Sequence, residues 1–234
     1  MLLCGALGSG GAGAQAPLTP REALGVLKAG NDRFARNAMS PVSFSLNRRQ
    51  ELATAQHPIA MVLSCADSRV PPEFVFNVGL GELFVIRTAG EVIDRSILAT
   101  LEYGAEHLHI PLLVVMGHES CGAVRAAAES TGPAESPNLD YLMKAIQAGR
   151  RAPAQQDREQ IKTLVLNNVE QVINDAMSRS GMLQRMVDEG RLVVVGGYYE
   201  LVSGKVMFSE PVTAEQRLSQ RPAEAAPGRQ AGHP

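Results

Sequence analysis

Residues 59–70 read IAMVLSCADSRV. The run from Ile59 to Leu63 is short, continuous and apolar, as expected of a strand buried on both faces. It ends on three reactive side chains at alternate positions: the thiol of Cys65, the carboxylate of Asp67 and the guanidinium of Arg69. A thiol and two opposite charges at the end of a buried strand point to a site built there, because an unpaired charge in such a place is costly.

The same kind of run recurs along the chain. Leu83-Phe84-Val85-Ile86 ends at Arg87-Thr88-Ala89-Gly90, and Pro111 to Met116 ends at Gly117-His118-Glu119-Ser120-Cys121-Gly122. Leu192 to Val195 leads to Tyr198-Tyr199, a Ser203-Gly204 turn and Lys205 to Phe208, a pair that reads as a hairpin. Helical patterns lie between the runs. Thr19-Pro20-Arg21-Glu22 is a capping box with Pro at the first helical position, followed by Ala23, Leu24, Leu27 and Phe34 at helical spacing. Further helices are predicted at Leu46 to Gln56, Glu91 to Leu108, Ala123 to Glu129, 138–149 and 156–188, with His57-Pro58 breaking the second. Apolar runs that alternate with helices define an α/β fold, a mostly parallel central sheet flanked by helices with a hairpin-like C-terminal edge.

Composition bounds the function. The 234 residues suffice for one domain, expected at 19–210. The net charge of −2 and the lack of a basic stripe give no footprint for nucleic acid or an anionic membrane surface. No apolar stretch approaches the roughly 20 residues of a membrane span. Aromatics make up 4% and Trp is absent, so the core is aliphatic. Residues 1–18 read as a flexible leader or the remnant of an export signal. The first reading implies a cytoplasmic protein, the second an exported or periplasmic one. Residues 211–234 read as a disordered tail.

Three cysteines cannot all pair within one chain. Cys4 stands in no pattern and reads as a small apolar residue. Cys65 and Cys121 differ, because in open parallel sheets sites collect beyond the carboxyl ends of strands. One strand end supplies Cys65 and Asp67. Another supplies His118 and, about one turn on, Cys121. Two thiolates, an imidazole and a carboxylate suit a tetrahedral zinc ion. The alternatives are a buried structural cysteine, a capping aspartate and a histidine at a helix start. Arg69 can pair with Asp67 in a two-pronged ion pair. If Asp67 binds the metal, the site is closed; if Arg69 holds it away, a fourth position is open to water. Gly90, Gly117 and Gly122 fall at strand-to-helix turns.

The segments CADSRVPPEFVF (65–76), GLGELFVIRTAG (79–90) and GHESCGAV (117–124) resemble the β-class carbonic anhydrases, in a likeness that runs from about residue 20 to 208. The resemblance implies that N-terminal helices pack on a partner chain in a homodimer or higher assembly. It implies one Zn²⁺ per chain on Cys65, His118 and Cys121, with Asp67 either a fourth ligand or, oriented by Arg69, the acceptor of a hydrogen bond from zinc-bound hydroxide. It implies a narrow pocket near the dimer interface, lined by Gln56, Phe84, Ala89, Gly90, Tyr103 and Gly122. The implied reaction is reversible hydration of CO₂ to bicarbonate and a proton. A same-fold hydrolase acting on a CO₂-like substrate such as carbon disulfide, and a non-catalytic zinc module, are the rivals. Two positions depart from the usual pattern, Thr88 and Glu91. Glu91 reads as a cap for the helix that follows, where a carboxylate is favourable. Nothing singles out His57, His107 or His109 as a proton shuttle.

Overall fold

Four strands run parallel, in the spatial order β2-β1-β3-β4, and a fifth closes the edge antiparallel to β4. The computed structural model describes residues 18–147 and 158–212. The expected leader, Cys4 and nearly all of the expected tail lie outside them. The strands are β1 (Ala60–Cys65), β2 (Leu83–Thr88), β3 (Leu112–His118), β4 (Val193–Tyr199) and β5 (Val206–Phe208). β1 and β3 are buried throughout, which is why their sequences are unbroken apolar runs. β2 is an edge strand and mostly half-buried. Two apolar clusters cover the sheet faces, one around Val62, Val114 and Leu164, the other around Leu63, Leu113 and Met186.

The helices among the described residues are α1 (Pro20–Ala35), α2 (Leu46–Leu52), α3 (Pro72–Val75), α4 (Arg95–Glu106), α5 (Gly122–Glu129), α6 (Pro137–Gln147), α7 (Arg158–Arg179) and α8 (Gly181–Asp188), with a single 3₁₀ turn at Ala89–Glu91. None is long and apolar enough to cross a membrane. The capping box at Thr19 and Glu22 forms as expected. α1 docks on its own chain. Gly30 approaches so closely that an added Cβ would lie 1.8 Å from the Phe76 carbonyl oxygen. Buried Asn31 donates to the Val75 and Gly204 carbonyls and accepts from the Val206 amide.

Three helix predictions are corrected. The second helix ends at Leu52 and not at Gln56, because Leu52 is the last side chain with something to pack on and residues 53–57 are exposed. The helix expected from Glu91 starts at Arg95, capped by the Asp94 side chain, because Gly90 and Glu91 both turn left-handed. The segment expected as one helix from 156 to 188 is two. Ser180 breaks it, capping α8 through the Leu183 amide and donating to Glu102.

Candidate metal centre

Parallel pairing puts the carboxyl ends of β1, β2 and β3 on one side of the sheet, with neighbours about 4.8 Å apart. Cys65 pairs with Thr88 at the end of β2, and Ser64 with Met116 two residues before His118. The three turns that leave the strands therefore converge. Cys65, His118 and Cys121 are buried, and one ligand atom from each lies within 4.8 Å of the others. No other such cluster of His, Cys and acidic groups occurs among the described residues.

The donor geometry fits a metal. The Cys65 and Cys121 sulfurs are 3.9 Å apart, far beyond the roughly 2.05 Å of a disulfide. Two thiolates at about 2.3 Å from one tetrahedral ion would be about 3.8 Å apart. The His118 Nδ1 is 2.9 Å from the Glu119 carbonyl oxygen. A carbonyl can only accept, so Nδ1 carries the proton and Nε2 presents its lone pair. That Nε2 is buried and has no hydrogen-bond partner, the state expected of a ligand atom. The thiols share their charge. A hydrogen bond from Cys121 pulls the Cys65 thiol well below its usual range, helped by the Gly90 amide 3.4 Å from its sulfur. The Cys121 thiol is pushed up by the same pairing and by burial.

Asp67 stands beside this cluster, clamped by Arg69. Oδ1 accepts from the Arg69 amide and Nε, both at 2.9 Å, and Oδ2 from Nη2 at 2.7 Å. The Arg69 hydrogen bonds hold the carboxyl well below the usual range. Oδ2 remains 3.9 Å from His118 Nε2, on the open side of the cluster. Arg69 also reaches the Ser120 carbonyl at 3.5 Å, tying the two loops together.

Some contributors escaped the sequence reading. Arg87 donates through Nε to the Cys65 carbonyl at 3.0 Å and through Nη2 to the Asp67 carbonyl, locking the loop between them. A charged residue just inside the end of an apolar strand was the available signal. Asn168, in the middle of α7, donates to the Gly90 carbonyl and to Glu91 Oε1, both at 2.8 Å; nothing local marks it. Glu91 is no helix cap. It is fully buried with φ +44°, and burial pushes its carboxyl up to about 8.

The six residues expected to line a pocket fall into two groups. Ala89, Gly90 and Gly122 adjoin the cluster. Gly90 is left-handed at φ +64°, with Ile146 filling the place of a side chain, whereas a Cβ on Gly122 would meet nothing within 4 Å. Gln56, Phe84 and Tyr103 belong to the opposite end of the sheet. Phe84 pairs with Met61, four residues and about 13 Å before the Cys65–Thr88 pair. The Tyr103 ring lies tilted beside it, centroids 6.4 Å apart, and Gln56 lies on the exposed segment that enters β1.

Comparison with known proteins agrees with this architecture. Residues 60–206 match the carbonic anhydrase family model. Carbonic anhydrase 2 of Mycobacterium tuberculosis is 34% identical over 199 residues, 82% of this chain and 94% of its own length. The carbonic anhydrase of Mycolicibacterium smegmatis is 35% identical over 193 residues, 80% and 92% of the two chains. The solved β-carbonic anhydrase CcaA superposes with a TM-score of 0.64 at 26% identity, over 69% of this chain and 84% of its own. A Coccomyxa β-carbonic anhydrase, solved with acetazolamide, gives 0.64 at 24% identity, over 85% and 87%. The chain belongs to the carbonic anhydrase family, and its fold is that of the β class.

Proposed function

We propose that the protein catalyses the reversible hydration of CO₂ to bicarbonate and a proton, with one Zn²⁺ per chain on Cys65, His118 and Cys121. The observation that carries this is the buried, unpartnered Nε2 of His118 facing two sulfurs at tetrahedral spacing. A zinc ion there would lower the pKa of a coordinated water to about 7 and so supply hydroxide at neutral pH. Asp67, kept ionised by Arg69, accepts the hydrogen bond that orients the attacking O–H. Paired in this way, Asp67 would serve as an orienting group rather than as a fourth ligand. Ala89, Gly90 and Gly122 keep the approach narrow and poor in side chains.

Gln56, Phe84 and Tyr103 reach such a site only from a second copy of the chain. The reading is supported by their place at the far end of the sheet and by what surrounds them. The edge strand β2 is uncovered, α2 buries no side chain, and Phe44, Leu46 and Phe74 are each more than half exposed. A groove of about 650 Å³ lined by Met39, Phe44, Phe74 and Leu80 adjoins the start of β2. A homodimer that covers this surface would bring the partner's Gln56 amide to the substrate oxygens.

Stopped-flow CO₂ hydration between pH 6.5 and 9, on metal-quantified protein, tests the proposal, with carbon disulfide assayed in parallel. Activity at neutral pH that is lost on chelation and restored by zinc is expected. One zinc per chain without hydration at any pH would leave a structural zinc module, and turnover of carbon disulfide alone would move the substrate.

A further inference from the structure

Glu91 is unusual on several counts. It is a non-glycine residue in the left-handed region, directly after a left-handed Gly90. Its side chain is fully buried, yet Oε2 has no hydrogen-bond partner. Left-handed backbone and a buried, half-satisfied carboxyl each cost stability. Such costs persist where the surroundings over-determine them, most often near functional sites.

The surroundings show what the position does. The Asn168 amide group donates both to the Gly90 carbonyl and to Glu91 Oε1. It therefore grips the Gly90–Glu91 peptide from two sides. The opposite flank of the turn is closed by the Thr88 hydroxyl, which donates to the Val92 carbonyl at 2.9 Å. The Gly90 N–H, at the front of this clamped turn, points to the Cys65 sulfur. The carboxyl lies against Gly117, the residue before His118: an added Cβ there would meet Val165 at 2.6 Å and Val169 at 2.8 Å, and would lie 3.3 Å from Glu91 Oε1. The carboxyl thus sits behind the strand ends that carry Cys65 and His118. Burial raises that carboxyl to about 8.

We propose that Glu91 and Asn168 act as one positioning unit, which holds the Gly90 amide against the Cys65 sulfur and so sets how firmly that sulfur retains a metal. The inference rests on the zinc site described above. An amide donor on a sulfur ligand, fixed by its own partners, is an outer layer of the kind whose loss costs about 10–100-fold in metal affinity.

The test uses the zinc-loaded full chain and four variants: Glu91→Ala, Asn168→Ala, the double variant and Glu91→Gln. Zinc release to a chelator is measured, together with the sulfur-to-metal charge-transfer band after cobalt(II) replaces zinc. Glu91→Ala and Asn168→Ala should each weaken metal retention by about 10–100-fold and shift the cobalt band. The double variant should be no worse than the poorer single one, because the residues act as a unit. Glu91→Gln keeps an oxygen for Asn168 and should retain zinc at the wild-type rate with an unshifted band. Folding is checked by circular dichroism, and if Asn168→Ala unfolds, the similarly sized Asn168→Leu, which cannot donate to the Gly90 carbonyl, takes its place with the same expected loss. Wild-type retention and an unshifted band in folded Asn168→Ala would overturn the inference, as would a Glu91→Gln variant as leaky as Glu91→Ala. Wild-type protein that binds no zinc would overturn the metal site itself, a result distinguishable from zinc held equally well by all forms.

Discussion

At the carboxyl ends of β1, β2 and β3, Cys65, His118 and Cys121 are buried, and the loops around them are tied. Arg69 grips Asp67, Arg87 grips the 65–67 loop, Asn168 grips the Gly90 turn and the Glu119 carbonyl fixes the His118 tautomer. At the opposite ends, Gln56 is exposed, Tyr103 is 49% exposed and Phe84 is half-buried on an edge strand. The first end is complete within one chain. The second is an apolar surface with a polar amide beside it. Metal ligands need directional order before an ion arrives, and one folded chain can provide that through hydrogen bonds. Apolar walls need only be covered, and a second molecule can do the covering.

The contrast can be broken most severely at the ordered end. Cys65→Ser should lose zinc and lower CO₂ hydration on the order of 10³-fold, the several kcal/mol a metal supplies. Gln56→Ala should keep its zinc while losing activity. If the two ends meet across a two-fold interface, mixing these weak variants restores sites. About a quarter of wild-type activity should return, since half the dimers are mixed and each has one intact site. No recovery after subunit exchange, confirmed by mass spectrometry, would place the two ends in unrelated roles.

Glu91→Gln should make the folded state more stable. The wild-type carboxyl ionises near 4.5 when unfolded but near 8 when folded. Between these values the unfolded state binds fewer protons, so wild-type stability falls as pH rises. The gain of the variant should be absent below pH 4.5 and on the order of 4 kcal/mol by pH 8, read from thermal unfolding. A gain independent of pH would mean that Glu91 is not an acid with a raised pKa.

Arg69→Ala would free Asp67 to approach a metal held by Cys65, His118 and Cys121. Activity at pH 7 should fall about 10–100-fold with zinc retained. Arg69→Lys should recover little, because an ammonium cannot reproduce the two-pronged grip. The smallest effect belongs to the open end. If the chain pairs through this end, Tyr103→Ala should leave zinc content unchanged and weaken that pairing by about 1 kcal/mol, measured by sedimentation equilibrium in the ultracentrifuge.

The sequence by itself determined the strands, their mostly parallel sheet and the chemistry at their ends. Continuous apolar runs such as Met61 to Leu63 and Leu112 to Met116 admit few other structures, and Cys65, His118 and Cys121 stand at the ends of such runs. Motif likeness carried this to the family. The tertiary structure decided what no local pattern encodes. It split the segment 156–188 at Ser180, whose partner Glu102 is 78 residues away. It placed Asn168 behind the Gly90 turn, 78 residues distant in sequence, and turned Glu91 from an expected cap into a buried acid. It also set Gln56, Phe84 and Tyr103 apart from Cys65, His118 and Cys121. The reason is common to all four: strand and helix periodicities are written in neighbours, whereas burial and hydrogen-bond partners are settled only when distant segments pack.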